Sequence, residues 1–379
     1  MSFESRCATR REVLQAALGA GIGATALRRA AAQSLETAVW KAGEDGYHTY
    51  RIPAVLRSKR GALLAFCEGR KDNSRDHGDI DLLMKRSTDG GRSWSAQQVV
   101  YEEGGTEKVT IGNPCPVLET RSGAIFLPFC RDNREVLVMS SRDDGKSWTK
   151  PASITAAVSK ADWTWYATGP GVGIQIQQGK HRGRLVIPCD HREKQGDGEA
   201  KMSHVFYSDD RGKSWKLGGT VAPHTDECQV AEIDGGRILI NMRNYWERDG
   251  KVPEKGRMRT QSVSEDGGAT WQGLRFLPEL VEPVCQASLI RYDEGRFAQS
   301  PRWVFSNPAD REKRIRMTLR ESTDHGRTWQ AGRVLHEGPS AYSCLVALPG
   351  GNAGILYERG VENPYEEIVF ANIALNGPA

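Results

Sequence analysis

An eight-residue phrase recurs five times in this chain of 379 residues, and the recurrence limits the folds open to it. STDGGRSW at Ser87 returns as SRDDGKSW at Ser141, SDDRGKSW at Ser208, SEDGGATW at Ser264 and STDHGRTW at Ser322. Every copy keeps Ser, an Asp two places on, a Gly two further, then Ser or Thr and a closing Trp. This is a turn with a mechanism: Gly can take positive φ, and the Asp and Ser oxygens bond nearby turn amides. The Trp anchors the turn by burying a large ring between strands. The copies start 54, 67, 56 and 58 residues apart. A period near fifty with strands between the turns points to a propeller or another repeat architecture.

Between the turns the chain alternates in short β-branched runs from Thr49 onward. TYRIPAVLRS, GALLAFCEGR, IDLLMKRS and SWSAQQVVY read as the four strands of a first blade. A second blade runs from Asn113 to about Ile154 and a third from Thr168 to about Val221, while a fourth opens at Glu227 and a fifth near Glu282. The last unit, AYSCLVALPG, NAGILYERG and EEIVFANIAL, has three strands and no turn phrase. Glu36 to Gly43 can supply its missing outer strand and close the ring. The expected fold is an all-β, six-bladed β-propeller with five Asp-box turns.

The first residues stand apart from this pattern. Arg10 and Arg11 precede a weakly apolar run from Leu14 to Leu27, and Ala30, Ala31 and Ala32 offer a small-residue cleavage site. The run is too short and too rich in Gly and Ala for a membrane span. We expect residues 1–32 to be a twin-arginine-type signal, residues 33–379 to be the propeller, and the mature protein to be exported. Lys and Arg total 52 against 48 Asp and Glu, a net charge of +4, so charge implies neither a nucleic-acid nor a membrane partner. Seven cysteines follow the signal with no zinc spacing, mostly in apolar runs, and are expected to be buried thiols.

In antiparallel four-stranded blades the start of strand one, the end of strand two and the start of strand three share one face of the disc. The repeated turns mark the opposite face. Arg51, Asp76, Glu227, Arg243, Arg314, Tyr342 and Glu358 all fall on the first face, where the inner strands converge.

The same residues carry a resemblance. YRIP at Tyr50 to Pro53, the five turns, DECQVAEIDGGRILINMRN at Asp226 to Asn244, SAYSCL and ILYERG are similar to the exo-α-sialidase family. The resemblance spans nearly the whole chain after the signal. It implies hydrolysis of terminal α-linked sialic acids with no cofactor and no metal, and sialylated glycans or related sugar acids as partners. Arg51, Arg243 and Arg314 match the family's carboxylate-binding arginines, although Arg311, Arg316 and Arg320 lie in the same run as Arg314. Planar, permanently charged forks suit a carboxylate on the anomeric carbon in a way that Lys does not. Tyr342 matches the nucleophile and Glu227 the base that activates it. A phenol is neutral until deprotonated, so the substrate's own carboxylate does not repel it. Asp76 matches the acid/base, with Asp79 as its competitor and Asp72 and Asp81 in the same loop. Glu358 is expected to hold Arg51 in one rotamer, Arg70 to add to the pocket, and Glu232 to be structural. Trp163, Trp165 and Tyr166, in an insert before the third blade, are expected to form an aromatic wall. A hydrolase of a related 2-keto-3-deoxy sugar acid and a catalytically silent sialic-acid-binding propeller are the alternatives.

Overall fold

In the computed structural model, which describes residues 35–105, 107–196, 198–294 and 298–375, every copy of the repeated phrase closes into the same turn. The Ser87 hydroxyl donates to Asp89 Oδ1 at 2.8 Å and accepts the Gly91 N–H at 2.9 Å. Asp89 accepts the Ser93 N–H at 3.0 Å on one oxygen and the Ser93 hydroxyl at 2.6 Å on the other. The set repeats around Asp143, Asp210, Asp266 and Asp324. Glycine is needed at the fifth position for two reasons. Gly91 has φ +90° and Gly145 +76°, which L side chains rarely adopt. A Cβ there would also lie 2.2 Å from Phe370 in the first case and 2.4 Å from Leu64 in the second. Each turn thus seats a side chain from a neighbouring sheet.

The described residues form five hydrogen-bonded sheets in a propeller arrangement. In the first, Thr49–Arg57, Leu63–Arg70, Ile80–Ser87 and Gln98–Tyr101 pair antiparallel in sequence order. Thr49, Arg70 and Ile80 align at one end, whereas Arg57, Leu63 and Ser87 align at the other. Arg51 and the repeated turn therefore sit at opposite ends of the strands.

The largest sheet has seven strands, ordered Ser288–Tyr292, Arg302–Pro308, Ile315–Ser322, Arg333–Leu348, Asn352–Arg359, Glu367–Ala374 and Leu35–Lys41. The break anticipated before Ala341 is absent. Arg333–Leu348 is one strand of 16 residues, whose first part pairs with Ile315–Ser322 and whose second part pairs with Asn352–Arg359. Leu35–Lys41 lies beside Glu367–Ala374, the place anticipated for the segment that begins at Glu36.

The apolar core is divided into seams between successive sheets. Phe66 and Met84 meet Leu127 and Phe129 in one seam, and Val117 and Val138 meet Ile187 and Phe206 in the next. In the last, Trp40, Val55 and Leu83 meet Leu356 and Phe370, so the final sheet packs back on the first. Each such buried side chain contributes about 1.5–3 kcal/mol. Cys67, Cys115, Cys130, Cys189, Cys228, Cys285 and Cys344 are free and buried.

One expectation is corrected. The segment read as an aromatic insert is strand Trp163–Thr168, paired with Leu185–Gln195. Successive residues such as Trp165 and Tyr166 must then face opposite sides, the register shifts between Trp163 and Trp165, and the three aromatic rings cannot form one wall. The anticipated signal, with Arg10, Arg11 and Cys7, lies outside the described residues. No helix among the described residues is long and apolar enough to cross a membrane.

Candidate active site

Arg51, Arg70, Asp76, Glu227, Arg243, Arg314 and Tyr342 line one hollow of about 300 Å³. Tyr342 comes from within the long strand Arg333–Leu348, and each of the others from the end of a strand or the loop beside it that faces away from the repeated turns. A larger hollow of about 430 Å³, lined by Val55, Val172, Ile174 and Leu289, contains none of these residues.

The backbone is bent to aim Arg51. The register shifts between Arg51 and Ala54, and Ile52 has φ +59°. Positive φ at a β-branched residue is strained, at a cost of about 1–3 kcal/mol, and the bulge redirects the adjoining side chain. Glu358, fully buried on strand Asn352–Arg359, holds this geometry. Its Oε1 accepts the Arg51 Nε–H at 2.7 Å and the Ile52 N–H at 2.9 Å, and its Oε2 accepts the Tyr342 N–H at 3.0 Å.

Tyr342 is 6% exposed, at the middle of the long strand, and its hydroxyl donates to Glu227 Oε1. Arg243 Nη1 donates to the other Glu227 oxygen at 2.6 Å and to the Tyr342 hydroxyl at 3.2 Å. The guanidiniums of Arg51 and Arg314 lie 5.0 Å and 5.6 Å from the Tyr342 ring centre. Burial and the Glu227 carboxylate push the phenol well up, against the pull of Arg243 and Arg314. Chemically, a neutral phenol beside a carboxylate acceptor, in a field of three cations that would stabilise phenolate, can be activated by loss of its proton. The Arg243 Nε is buried with no partner among the described residues, and Arg314 donates to the Tyr365 hydroxyl at 2.9 Å. This leaves donors available for an anionic group.

Of the four acidic candidates in the first loop, Asp76 alone lines the hollow. Its side chain is 71% exposed, and its Oδ1 lies 2.9 Å from Arg70 and 3.9 Å from Arg51. Partial burial raises its pKa, but the Arg70 and Arg51 guanidiniums outweigh this and hold it below the usual carboxylate range. Asp72 pairs with Lys108, while Asp79 and Asp81 pair with Lys71. Arg70 is itself fixed by Glu68, at 3.0 Å and 2.7 Å. Glu232 accepts the Gln177 and Gln178 N–H groups away from the hollow. Arg316 pairs with Glu337, and Arg314 alone of its run reaches the hollow.

Of the anticipated aromatic trio, Trp165 lines the hollow, under the Arg192 guanidinium at 4.5 Å. Trp163 stacks on His191 at 3.6 Å between ring centres, and Tyr166 is buried. Asn113, Asp190, Asp226, Tyr245 and Tyr365 also line the hollow and were not singled out from the sequence. Asp226 adjoins Glu227 and had a local signal, whereas Asp190 sits in an ordinary strand run, LVIPCDHREKQ.

Residues 61–355 match the family described as the BNR repeat-like domain. The chain is 33% identical over 341 residues to the sialidase of Micromonospora viridifaciens, covering 84% of this chain and 51% of that protein. It is 29% identical to the sialidase of Bacteroides fragilis, covering 84% of this chain and 62% of that protein. The chain thus spans between half and two thirds of these relatives. The solved structure of Hadza microbial sialidase Hz136 superimposes with a TM-score of 0.78 at 27% identity, covering 90% of this chain and 68% of that one.

Proposed function

The chain belongs to the BNR repeat-like domain family, and from that premise we propose that it is a retaining exo-α-sialidase. Its substrates are glycans ending in an α-linked sialic acid or a related sugar acid. Arg51, Arg243 and Arg314 take the substrate carboxylate. Glu227 removes the Tyr342 proton as the phenolate oxygen attacks the anomeric carbon, and Asp76 protonates the departing glycosidic oxygen. Water, deprotonated by Asp76, then displaces Tyr342, so that two inversions retain the configuration. The reaction is assigned no cofactor.

The observation that carries this reading is the Tyr342 hydroxyl donating to Glu227 while Arg243 touches both. A silent binding module needs the arginines but not this pair. Within this proposal the fold has six blades, because the seven-stranded sheet supplies two through its shared strand Arg333–Leu348. Residues 1–32 direct export through Arg10 and Arg11. Replacing both with Lys should leave the precursor inside the cell, and unimpaired export would remove this part.

Release of a fluorogenic aglycone from an α-sialoside tests the activity, and a deaminated substrate in parallel separates the related sugar acids. A 3-fluoro sialosyl fluoride should label the peptide containing Tyr342, and Glu227→Gln should slow labelling by about 10²-fold. A β-anomer as first-formed product, or a label elsewhere, would exclude the mechanism.

A further inference from the structure

The loop that carries Asp76 is fixed at its base and lightly held at its tip. At the base, the Lys71 ammonium pairs with Asp79 at 3.0 Å, and the Lys71 N–H donates to the Asp79 carbonyl at 3.1 Å. The Gly78 N–H donates to the Thr110 hydroxyl at 3.0 Å, and that hydroxyl donates back to the Gly78 carbonyl at 3.1 Å. At the tip, Arg70 donates to the Ser74 carbonyl at 2.6 Å and to Asp76 at 2.9 Å. Asp76 is exposed there, and so is His77 beside it.

His77 reaches outside its own sheet. Its imidazole meets the Trp165 indole at 5.5 Å between ring centres with the planes at 88°, an edge-to-face contact. Trp165 is a firm platform, because it lies on strand Trp163–Thr168, pairs in register with Arg192 and has the Arg192 guanidinium 4.5 Å from its ring centre. Arg70 and Arg51, which also hold Asp76, belong to the first sheet. The two kinds of tether respond differently to a proton. The Arg70 contact is an ion pair, at full strength when Asp76 is ionised. To act as the acid Asp76 must carry a proton, and its attraction to Arg70 and Arg51 is then reduced. A ring contact one residue away does not depend on the Asp76 charge.

We propose that His77 is a positioning residue, whose contact with Trp165 keeps the protonated Asp76 at the hollow while the glycosidic oxygen departs. This rests on the sialidase reading, in which Asp76 gives its proton to that oxygen. When Asp76 later takes a proton from water it starts ionised, and Arg70 and Arg51 hold it. The loop tip thus has one restraint for each protonation state of its carboxyl.

The test compares two α-sialosides that differ in how much the leaving group needs a proton. A 4-nitrophenyl sialoside loses a phenol that departs readily as its anion, whereas sialyllactose loses a sugar hydroxyl that does not. The quantity read is kcat/KM, which covers the steps up to that departure. His77→Ala should lower it about fivefold on sialyllactose, the scale of one edge-to-face pair, and leave the nitrophenyl substrate within about twofold of the wild type. His77→Phe, which keeps a ring at that place and has no ionisable nitrogen, should recover most of the loss. Asp76→Ala is the reference and should show the same dependence on leaving group more strongly. Equal losses on the two substrates, no loss on sialyllactose, or a Phe variant as impaired as Ala would each overturn the proposal. If the wild type turns over neither substrate, or Asp76→Ala does not distinguish them, the sialidase reading as assigned falls and this inference with it. If the wild type is active and Asp76→Ala distinguishes the substrates while His77→Ala does not, the inference alone falls.

Discussion

Arg51 and Tyr342 are held by one carboxylate. Glu358 accepts the Arg51 Nε–H at 2.7 Å through Oε1 and the Tyr342 N–H at 3.0 Å through Oε2. An arginine of the proposed clamp and the proposed nucleophile are thereby set relative to one another by a buried group that does not line the hollow. Glu358→Ala leaves the Arg51 guanidinium buried without its partner. Unfolding in urea should show a loss of about 3–5 kcal/mol, the scale for breaking a buried pair from one side. Glu358→Gln, which can still accept at its oxygen, should lose less stability yet lower kcat/KM by about tenfold or more. Unchanged activity in a folded Gln variant would mean that Arg51 needs no such restraint.

Arg243 touches both Glu227 and Tyr342, and its buried Nε has no partner among the described residues. Arg243→Ala should lower kcat/KM by at least about 3 kcal/mol in transition-state terms, the range for a desolvated charge pair. Arg302 is a poor control for this measurement, because it is buried and paired with Glu321 at 2.9 Å. Arg60, whose side chain is 72% exposed, is the better one, and its Ala variant should match the wild type. Equal losses at Arg243 and Arg60 would defeat the assignment.

Arg70 sets the ionisation of Asp76. With Arg51, it outweighs partial burial and keeps the Asp76 carboxyl ionised to lower pH than usual. Replacing Arg70 with Gln removes a cation that favours the ionised form, so the Asp76 pKa must rise and the protonated acid must persist to higher pH. The alkaline limb of kcat/KM, which reports groups of the free enzyme, should move up by about one unit. An unmoved limb would remove Asp76 as the acid.

Asp143 anchors the second repeated turn, where Ser147 bonds it through side chain and backbone and holds its pKa at about 2. The unfolded value is about 3.9, so the folded state gains stability above that pH and loses it as pH falls toward the folded value. Asp143→Ala should cost about 1 kcal/mol near neutral pH, since the group is partly solvated. The gap in Tm between variant and wild type should close as pH is lowered from about 5 to about 2. A gap independent of pH would mean that the turn does not depend on the ionised Asp.

The turns and the residues at strand ends were legible because their constraints are local. Gly91 must adopt positive φ, and Arg51 and Arg243 sit in short motifs beside strand ends. Asp190 was not legible, because nothing in LVIPCDHREKQ distinguishes a carboxyl facing a hollow from one facing water. Its burial depends on which strands pair across it and on Asp226 and Glu227 arriving from another sheet. The continuity of Arg333–Leu348 was hidden for a related reason. Gly338 and Pro339 punctuate the sequence as a turn would, but pairing on both sides carries the strand through them.

Leu35–Lys41 finds its hydrogen-bonding neighbour in Glu367–Ala374. A ribosome delivers the first of these strands before the intervening sheets exist, and the second after nearly all of them have been made. Until then Leu35–Lys41 is an unpaired edge, and Val55 and Leu83 lack the Leu356 and Phe370 that cover them. The ring cannot latch until Glu367–Ala374 has been made, so that edge stays open to other partners throughout the making of the sheets between.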